Sequence, residues 1–549
     1  MDRRQFLVSV GRAGLVVAAT ALLEACDSAA PTGVSSSPSR IPGIASLPAP
    51  SVPTPGRLGP PSGPVGPPTR LRNGAIRDEN ARTGDRRWLL DAAGPRSTVE
   101  AFVDHASVAP GDTLTLHAAH RGDTVDLDWY RLGWYGGTGG RLVRRDTAVD
   151  VAPSLTSEID PMNGRAEAAA APAITVVIPG DWLSGSYRVV VRPRSQSPFG
   201  AFDRPGCAPF TVRPAGTASP APVLFVSATT TWEAYNAWGG ADLYDATSAD
   251  SPLEASGRRA TQVSFDRPYA IGSGAGYQDR WELPFVRWQE REGRDVDTCA
   301  DVDLELNPAI AAGRRLIVFA GHHEYWSRPM RTTIENAIAL GTNIAFLSAN
   351  ELYWQVRFEP SPLGPARRVT CFKSNVADPL TLTSPELTTC RWRQPPVNEP
   401  EAVVIGQQYG HIVARSADWI VAGAGHWLYQ GTGLGDGDRI RNLVGQEYDT
   451  FFPDLAPPGT EILARSPVKA MIRPGAVASG PQPANPNVQT ATIYTAESGA
   501  TVLAAGTFQW SWALDPFQRN AYKGVVTPYD ERLVRMTRNL FDRLGDGPA

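Results

Sequence analysis

Histidine and cysteine are scarce in this chain: 7 and 5 residues among 549. No two cysteines form a C-x-x-C pair, which argues against a thiolate zinc site. No serine sits in a G-x-S-x-G elbow and no cysteine in its G-x-C-x-G counterpart. Nucleophilic serine or cysteine catalysis is therefore disfavoured. Excess charge is lacking too. The net charge is -4, so nothing points to nucleic acid. The apolar run Leu15 to Leu23 falls short of the roughly 20 residues a spanning helix needs.

What is present is length, 42% hydrophobic content and 20% charge, which fit a soluble globular protein of two to four domains. The first 26 residues read as a targeting segment and are set aside from fold reasoning. Arg3-Arg4-Gln5-Phe6-Leu7 is a twin-arginine core. The run to Leu23 follows it, then Leu23-Glu24-Ala25-Cys26, which resembles a bacterial lipobox with Cys26 as the lipidated residue. The three features in order predict export by the twin-arginine route and a lipid anchor on the outer face of the bacterial cell membrane. That route carries folded proteins and is often used when a cofactor is loaded first. Residues 27–70 are rich in Pro, Ser and Gly and cannot bury a core, so they read as a tether. The other cysteines are Cys207, Cys299, Cys371 and Cys390. Outside the cytoplasm they could pair in any of 3 connectivities. Cys371 and Cys390 close a short loop and form the expected disulfide.

From 71 to 214 short alternating strands are separated by Gly and Pro turns. Thr98 to Val103, Thr113 to His117, Val125 to Leu132, Ile174 to Ile178 and Tyr187 to Val191 are the clearest. They predict an immunoglobulin-like β-sandwich. His105, His117 and His120 lie here and read as structural or exposed. The glycines around Trp134 precede no helix and read as a loop or hairpin. From 221 to 549 the pattern turns α/β. Strands are expected at Pro222–Ser227, Arg294–Cys299, Arg315–Ala320 and Asn343–Ser348, with helices at Trp281–Glu292 and Leu533–Leu544. Strands alternating with helices imply a parallel sheet. Shorter β-like runs, among them Ala402–Ile405, Ile412–Ala414 and Val502–Ala505, extend or cover it.

The densest chemistry follows the run Arg315 to Ala320, in Gly321-His322-His323-Glu324-Tyr325-Trp326-Ser327. Met330, Ile334, Ala337 and Ile338 then recur at helical spacing. In open α/β sheets, ligands bind beyond the carboxyl ends of strands. In an extended loop alternate residues share a face, so His322 and Glu324 would point together and His323 away. Two such groups begin a metal site or an acid–base pair but complete neither. The alternative is a structural corner with the histidines bonded to backbone. Two further stretches leave strands on the same edge: Thr231 to Asp245, dense in aromatics, and Asn350 to Gln355. Gly433 to Asp438 lacks the spaced carboxylates of a calcium loop and reads as a solvated turn. His426 reads as a packed histidine.

With these stretches in hand the chain resembles the large (beta) subunit family of N,N-dimethylformamidase. The resemblance rests on Tyr130 to Gly137, Thr231 to Asp245, Gly321 to Ser327, Asn350 to Trp354, Leu443 to Asp449 and Gly506 to Trp512, spanning about 71 to 545. Each motif is short, but their number and order are specific to the broad family. The resemblance implies a β-sandwich followed by a domain like the class I glutamine amidotransferases, without their catalytic cysteine. It implies mononuclear ferric iron held by two tyrosines and a glutamate. Glu324 takes the glutamate role and His322 the neighbouring catalytic one. The tyrosines fall on Tyr244 and on Tyr235, with Tyr269 as the alternative to the latter. His323 stands where the family is expected to carry proline, which changes the backbone freedom of the loop. Trp232, Asn236, His323, Tyr325, Asn350 and Tyr353 are the expected substrate-pocket residues.

The function expected is therefore an iron-dependent hydrolase of a linear amide C–N bond. Its substrate would be a small-molecule or cell-wall amide. It would touch the membrane through the lipid anchor alone, bind no nucleic acid, and could form oligomers. The family's small subunit has no counterpart in this chain. The alternative from a different class is a non-catalytic surface binding or scaffolding lipoprotein that keeps the fold.

Overall fold

A computed structural model describes residues 74–546, except 91–96, 123, 170–171, 195–202, 217–219, 245–258, 271–274, 472–484 and 518–519. The signal segment, the tether and Cys26 lie outside the described residues. No helix among the described residues is long and apolar enough to cross a membrane.

Two sheets form the first part of the fold. One pairs Glu100–Val103, Thr113–Ala119 and Pro172–Val177. The other runs in the order Ser107–Val108, Gly206–Val212, Gly185–Pro193, Thr124–Leu132, Gly140–Asp150. Alternation explains their packing. Leu114 and Leu116 on the first sheet and Leu127, Trp129, Val189 and Val191 on the second point into one shared core. The glycine-rich stretch around Trp134 joins two antiparallel strands as a hairpin turn. His117 stacks on Phe102 at 4.7 Å, His120 meets Asp203 at 3.3 Å, and His105 meets Asp104 at 2.8 Å.

The second part is built on a seven-stranded sheet. Its order is Val296–Ala300, Val223–Ser227, Leu316–Phe319, Asn343–Phe346, Thr501–Ala504, Val488–Thr495, Glu461–Pro467. The first five are mutually parallel, and the last two pairings, Thr501–Ala504 with Val488–Thr495 and Val488–Thr495 with Glu461–Pro467, are antiparallel. Val223–Ser227, Val296–Ala300 and Leu316–Phe319 are buried along their whole length; the first and third are near-continuous apolar runs, as strands covered on both faces tend to be, and the second carries Asp297 and Thr298. The helix Arg328–Ala339 turns Met330, Ile334, Ala337 and Ile338 inward, the face its spacing predicts. Ser327 caps it by accepting a hydrogen bond from the Met330 amide at 3.3 Å. The chain leaves Val223–Ser227 toward one side of the sheet and then crosses to Leu316–Phe319 on the other. The strand order reverses between these two neighbours, which makes a crevice at their carboxyl ends.

Two expected elements differ. Ala402–Ile405 is one turn of helix, not a strand. Gly406 stops it at φ 85, a left-handed geometry that glycine adopts without a Cβ penalty. The segment after Glu324 is a short strand rather than a loop: Tyr325–Ser327 pairs in parallel with Trp354–Val356.

The two-sheet unit covers the sheet edge at Val296–Ala300. Ser184 Oγ accepts from the Thr298 amide at 2.8 Å. Arg131 reaches Glu290 through both carboxylate oxygens, at 2.9 and 2.7 Å, with both side chains 1% exposed. Removing one partner strands the other charge in a dry interior. Glu290→Ala is expected to lower stability by about 3–5 kcal/mol, whereas Arg131→Met with Glu290→Met recovers most of that loss. Thermal or urea unfolding checks it. A single-variant loss below about 1 kcal/mol contradicts the account.

Candidate metal centre

Three separate stretches meet at the crevice. The strand Val223–Ser227 leads into the short helix Thr229–Ala234, which ends at Tyr235. Tyr244 follows, its amide held by Asp242 Oδ1 at 2.7 Å. The strand Leu316–Phe319 leads into Gly321 to Glu324. The Glu324 amide donates to Thr231 Oγ1 at 3.2 Å, and its carbonyl accepts from the Tyr353 and Trp354 amides at 3.0 and 2.9 Å. The carboxylate is thus fixed by backbone on two sides before any side chain touches it.

Four donors converge on Glu324, which is fully buried. Tyr235 Oη donates to Oε2 at 2.7 Å and Tyr244 Oη to Oε1 at 2.6 Å. Trp354 Nε1 donates to Oε1 at 3.0 Å, and His322 Nε2 lies 3.2 Å from Oε2. Burial pushes the carboxyl pKa up. The hydrogen bond and charge of His322, the charge of Lys373 and the Tyr244 hydroxyl outweigh it and hold the pKa below the ordinary value. The Tyr235 and Tyr244 rings stack 4.6 Å apart, and their hydroxyls are 3.0 Å apart.

The oxygen triangle has more contacts than protons. With Glu324 ionised and both phenolic protons directed at it, none is left for the Tyr235–Tyr244 contact. A cation among the three oxygens removes that deficit. Two phenols and a carboxylate are hard oxygen donors, suited to a hard cation. Among the described residues no group of three or more His, Cys, Asp or Glu side chains is placed to hold a metal. The candidate set here is phenolic.

The other expected residues fall into distinct places. Tyr269 is not in the cluster, and its hydroxyl bonds Glu233. Tyr325 packs edge-on behind both tyrosines, at 6.4 and 6.5 Å between ring centroids. His323, expected at the pocket, turns into the sheet core instead. It is 1% exposed, meets Phe319 edge-on at 4.9 Å, and burial pushes its pKa down to about 3. The pleat of the loop sends neighbours to opposite sides. Asn350 is held at φ 53, with its amide on Asp449 at 2.8 Å and its Nδ2 on Glu447 at 2.8 Å. Tyr353 packs on Trp354 and Tyr409, both at 5.0 Å. Trp232 and Asn236 line a cleft beside Tyr235.

Sequence reading missed three contributors. Lys373 is buried, with Nζ 2.9 Å from the centroid of the Tyr244 ring. Trp354 donates directly to Glu324. Phe508 packs on His322 at 4.3 Å. Trp354 and Phe508 stood inside quoted motifs, which was a usable signal. Lys373 follows the strand Gly364–Thr370 in a stretch with no motif.

Cys371 and Cys390 are both free and buried, so the expected bridge is not formed in this structure. Burial pushes their thiols up to about 11 and about 12, which leaves little thiolate near neutrality. Cys207 and Cys299 are also free and buried. A thiol reagent is expected to label none of these four in the native protein and all four after unfolding without reductant. Recovery of only two upon unfolding would show a bridge.

No curated protein matches the chain. The sequence model of one family does, over residues 126–524, roughly three quarters of the length. That match starts within the strand Thr124–Leu132 of the two-sheet unit and runs through every stretch that builds the centre. The chain belongs to the N,N-dimethylformamidase beta subunit-like, C-terminal family.

Proposed function

We propose that this protein is an iron-dependent hydrolase of an amide C–N bond, related in chemistry to N,N-dimethylformamidase but with a substrate of its own. The observation that carries the reading is the convergence of Tyr235, Tyr244 and His322 on the buried carboxylate of Glu324. Family membership supports it independently.

Tyr235, Tyr244 and Glu324 would hold one ferric ion. A free phenol has a pKa of about 10, and a bound cation favours its phenolate. When bound, the ion supplies Lewis acidity toward an amide carbonyl and makes water nucleophilic near neutral pH. The rest of the chemistry falls to side chains. Glu324 orients the His322 ring through Nε2 at 3.2 Å, and Nδ1, which has no hydrogen-bond partner among the described residues, would carry a proton to the departing amine. Phe508 packs on His322 and Tyr325 on Tyr235, which keeps water from the cluster and strengthens each charge interaction. Lys373 lies over the Tyr244 ring, where its charge favours electron density on the phenol.

The same reading assigns the two-sheet unit (71–214) an immunoglobulin-like lineage. It assigns 221–549 one like the class I glutamine amidotransferases without their cysteine. The shared core of the two sheets and the site at the strand-order reversal support these assignments. We further propose export by the twin-arginine route and lipid anchoring through Cys26, with 27–70 as the tether. The support is Arg3-Arg4, the run to Leu23 and Leu23-Glu24-Ala25-Cys26. Export folded suits a protein that is loaded with metal first.

Metal analysis and a panel of simple linear amides, dimethylformamide included, test the hydrolase reading. Glu324→Ala is expected to lose both iron and turnover. His322→Ala is expected to keep iron and lose turnover by about 10²–10⁴-fold. Glu324→Ala that retains both iron and activity would overturn the reading. Well-folded wild-type protein without metal or turnover would instead support the surface-binding alternative.

A further inference from the structure

Nine arginines among the described residues are buried. Eight of them hold a carboxylate in an ion pair, as Arg131 holds Glu290 and Arg267 holds Glu233. Arg391 is the exception. It is 8% exposed, it makes no ion pair among the described residues, and its Nε has no hydrogen-bond partner there. The contrast is local as well. Arg393, two residues on, lies over the same Tyr353 ring as Arg391, at 5.4 against 5.3 Å. Arg393 is neutralised by Glu401 at 2.7 Å, and Arg391 by no acid. A buried cation without a counter-charge is costly. Its contacts with the Tyr353 and Trp354 rings, at 5.3 and 5.2 Å, offset part of that cost but satisfy none of its five N–H donors.

The place of this charge gives it meaning. Arg391 forms an isolated antiparallel bridge with Trp354, and the Gln355 amide donates to the Cys390 carbonyl at 2.9 Å. The backbone thus pins Arg391 against the strand that carries Trp354. The indole under its guanidinium is the one whose Nε1 donates to Glu324 Oε1 at 3.0 Å. A single ring therefore separates the unpaired cation from the carboxylate of the candidate metal centre. Lys373 Nζ lies 4.9 Å from the same ring, so two cations attend one indole. The guanidinium fork matches a carboxylate with two parallel N–H bonds and sheds water more readily than an ammonium. A carboxylate brought by a ligand supplies the acid that the chain itself does not.

We propose that Arg391 binds a carboxylate on the substrate, so that the amide presented to the Glu324 centre belongs to an N-acyl amino acid or a similar acidic amide. The proposal deepens the hydrolase reading and rests on it for the word amide. The acidic character rests on Arg391 alone.

Calorimetric titration of the purified full chain, alongside metal analysis, tests it without requiring turnover. The probes are N-formylglycine and N-formyl-4-aminobutyrate, each set against its own carboxamide, which has nearly the same shape without the charge. Acetate and inorganic phosphate serve as anions that carry no amide. The tighter of the two acids is expected to bind at least about 10-fold more tightly than its carboxamide, and more tightly than either simple anion. Arg391→Met, which keeps an apolar stem against both rings, is expected to erase the difference between that acid and its carboxamide. Arg391→Lys, which keeps the charge without the fork, is expected to retain part of it. Thermal unfolding shows whether each variant is folded, and the wild-type comparison stands even if neither is. Acids that bind no more tightly than their carboxamides overturn the proposal, as does a preference that survives in folded Arg391→Met. Acetate or phosphate bound as tightly as the acids makes Arg391 a site for small anions and overturns the substrate reading. Protein that holds iron and hydrolyses neutral and acidic amides alike overturns this site and keeps the hydrolase. Protein that prefers the acids through Arg391 without iron or turnover keeps the site and removes the hydrolase.

Discussion

A carboxylate taken wholly out of water must be matched by donors, or it takes up a proton instead. Glu324 meets that demand with four side chains from three stretches of the sequence. The demand reaches outward from there. Tyr235 must sit at the end of a helix that follows Val223–Ser227, and His322 in the turn after Leu316–Phe319. Trp354 must begin the strand that pairs with Tyr325–Ser327. Those placements hold together only if the two central strands lie side by side, which the parallel register supplies.

The same centre explains why the fold has two parts. The sheet edge at Val296–Ala300 would otherwise offer open backbone groups. The two-sheet unit covers it through Ser184 and anchors itself through the Arg131–Glu290 pair. Having docked there, it sends Arg188 to Gln278 and Pro209 to the cleft beside Tyr235.

Much of this could be read from the residues alone, and the exceptions have physical reasons. Leu316–Phe319 is an unbroken apolar run bounded by charge and turn, and Arg328–Ala339 buries the four residues its period selects. Both signals are local. Alternation likewise separated His322 from His323. Ala402–Ile405 was ambiguous because four apolar residues suit a helical turn as well as a strand, and Gly406 decided it. Gly140–Asp150 escaped notice because it is mostly half-buried or exposed and carries five arginines and aspartates. Lys373 could not be found at all: its cation–π contact spans more than a hundred residues and leaves no periodic trace. Cysteine spacing suggested a bridge, but spacing carries no information about the burial that keeps both thiols protonated.

The central claim is that Tyr235, Tyr244 and Glu324 together hold a ferric ion. The visible absorption spectrum of the protein, purified from iron-supplemented cells, tests this most directly. The account predicts a broad tyrosinate-to-iron charge-transfer band that is lost in Tyr244→Phe and absent in protein stripped of iron. Iron-replete, folded protein without such a band, or a band that survives Tyr244→Phe unchanged, would contradict it.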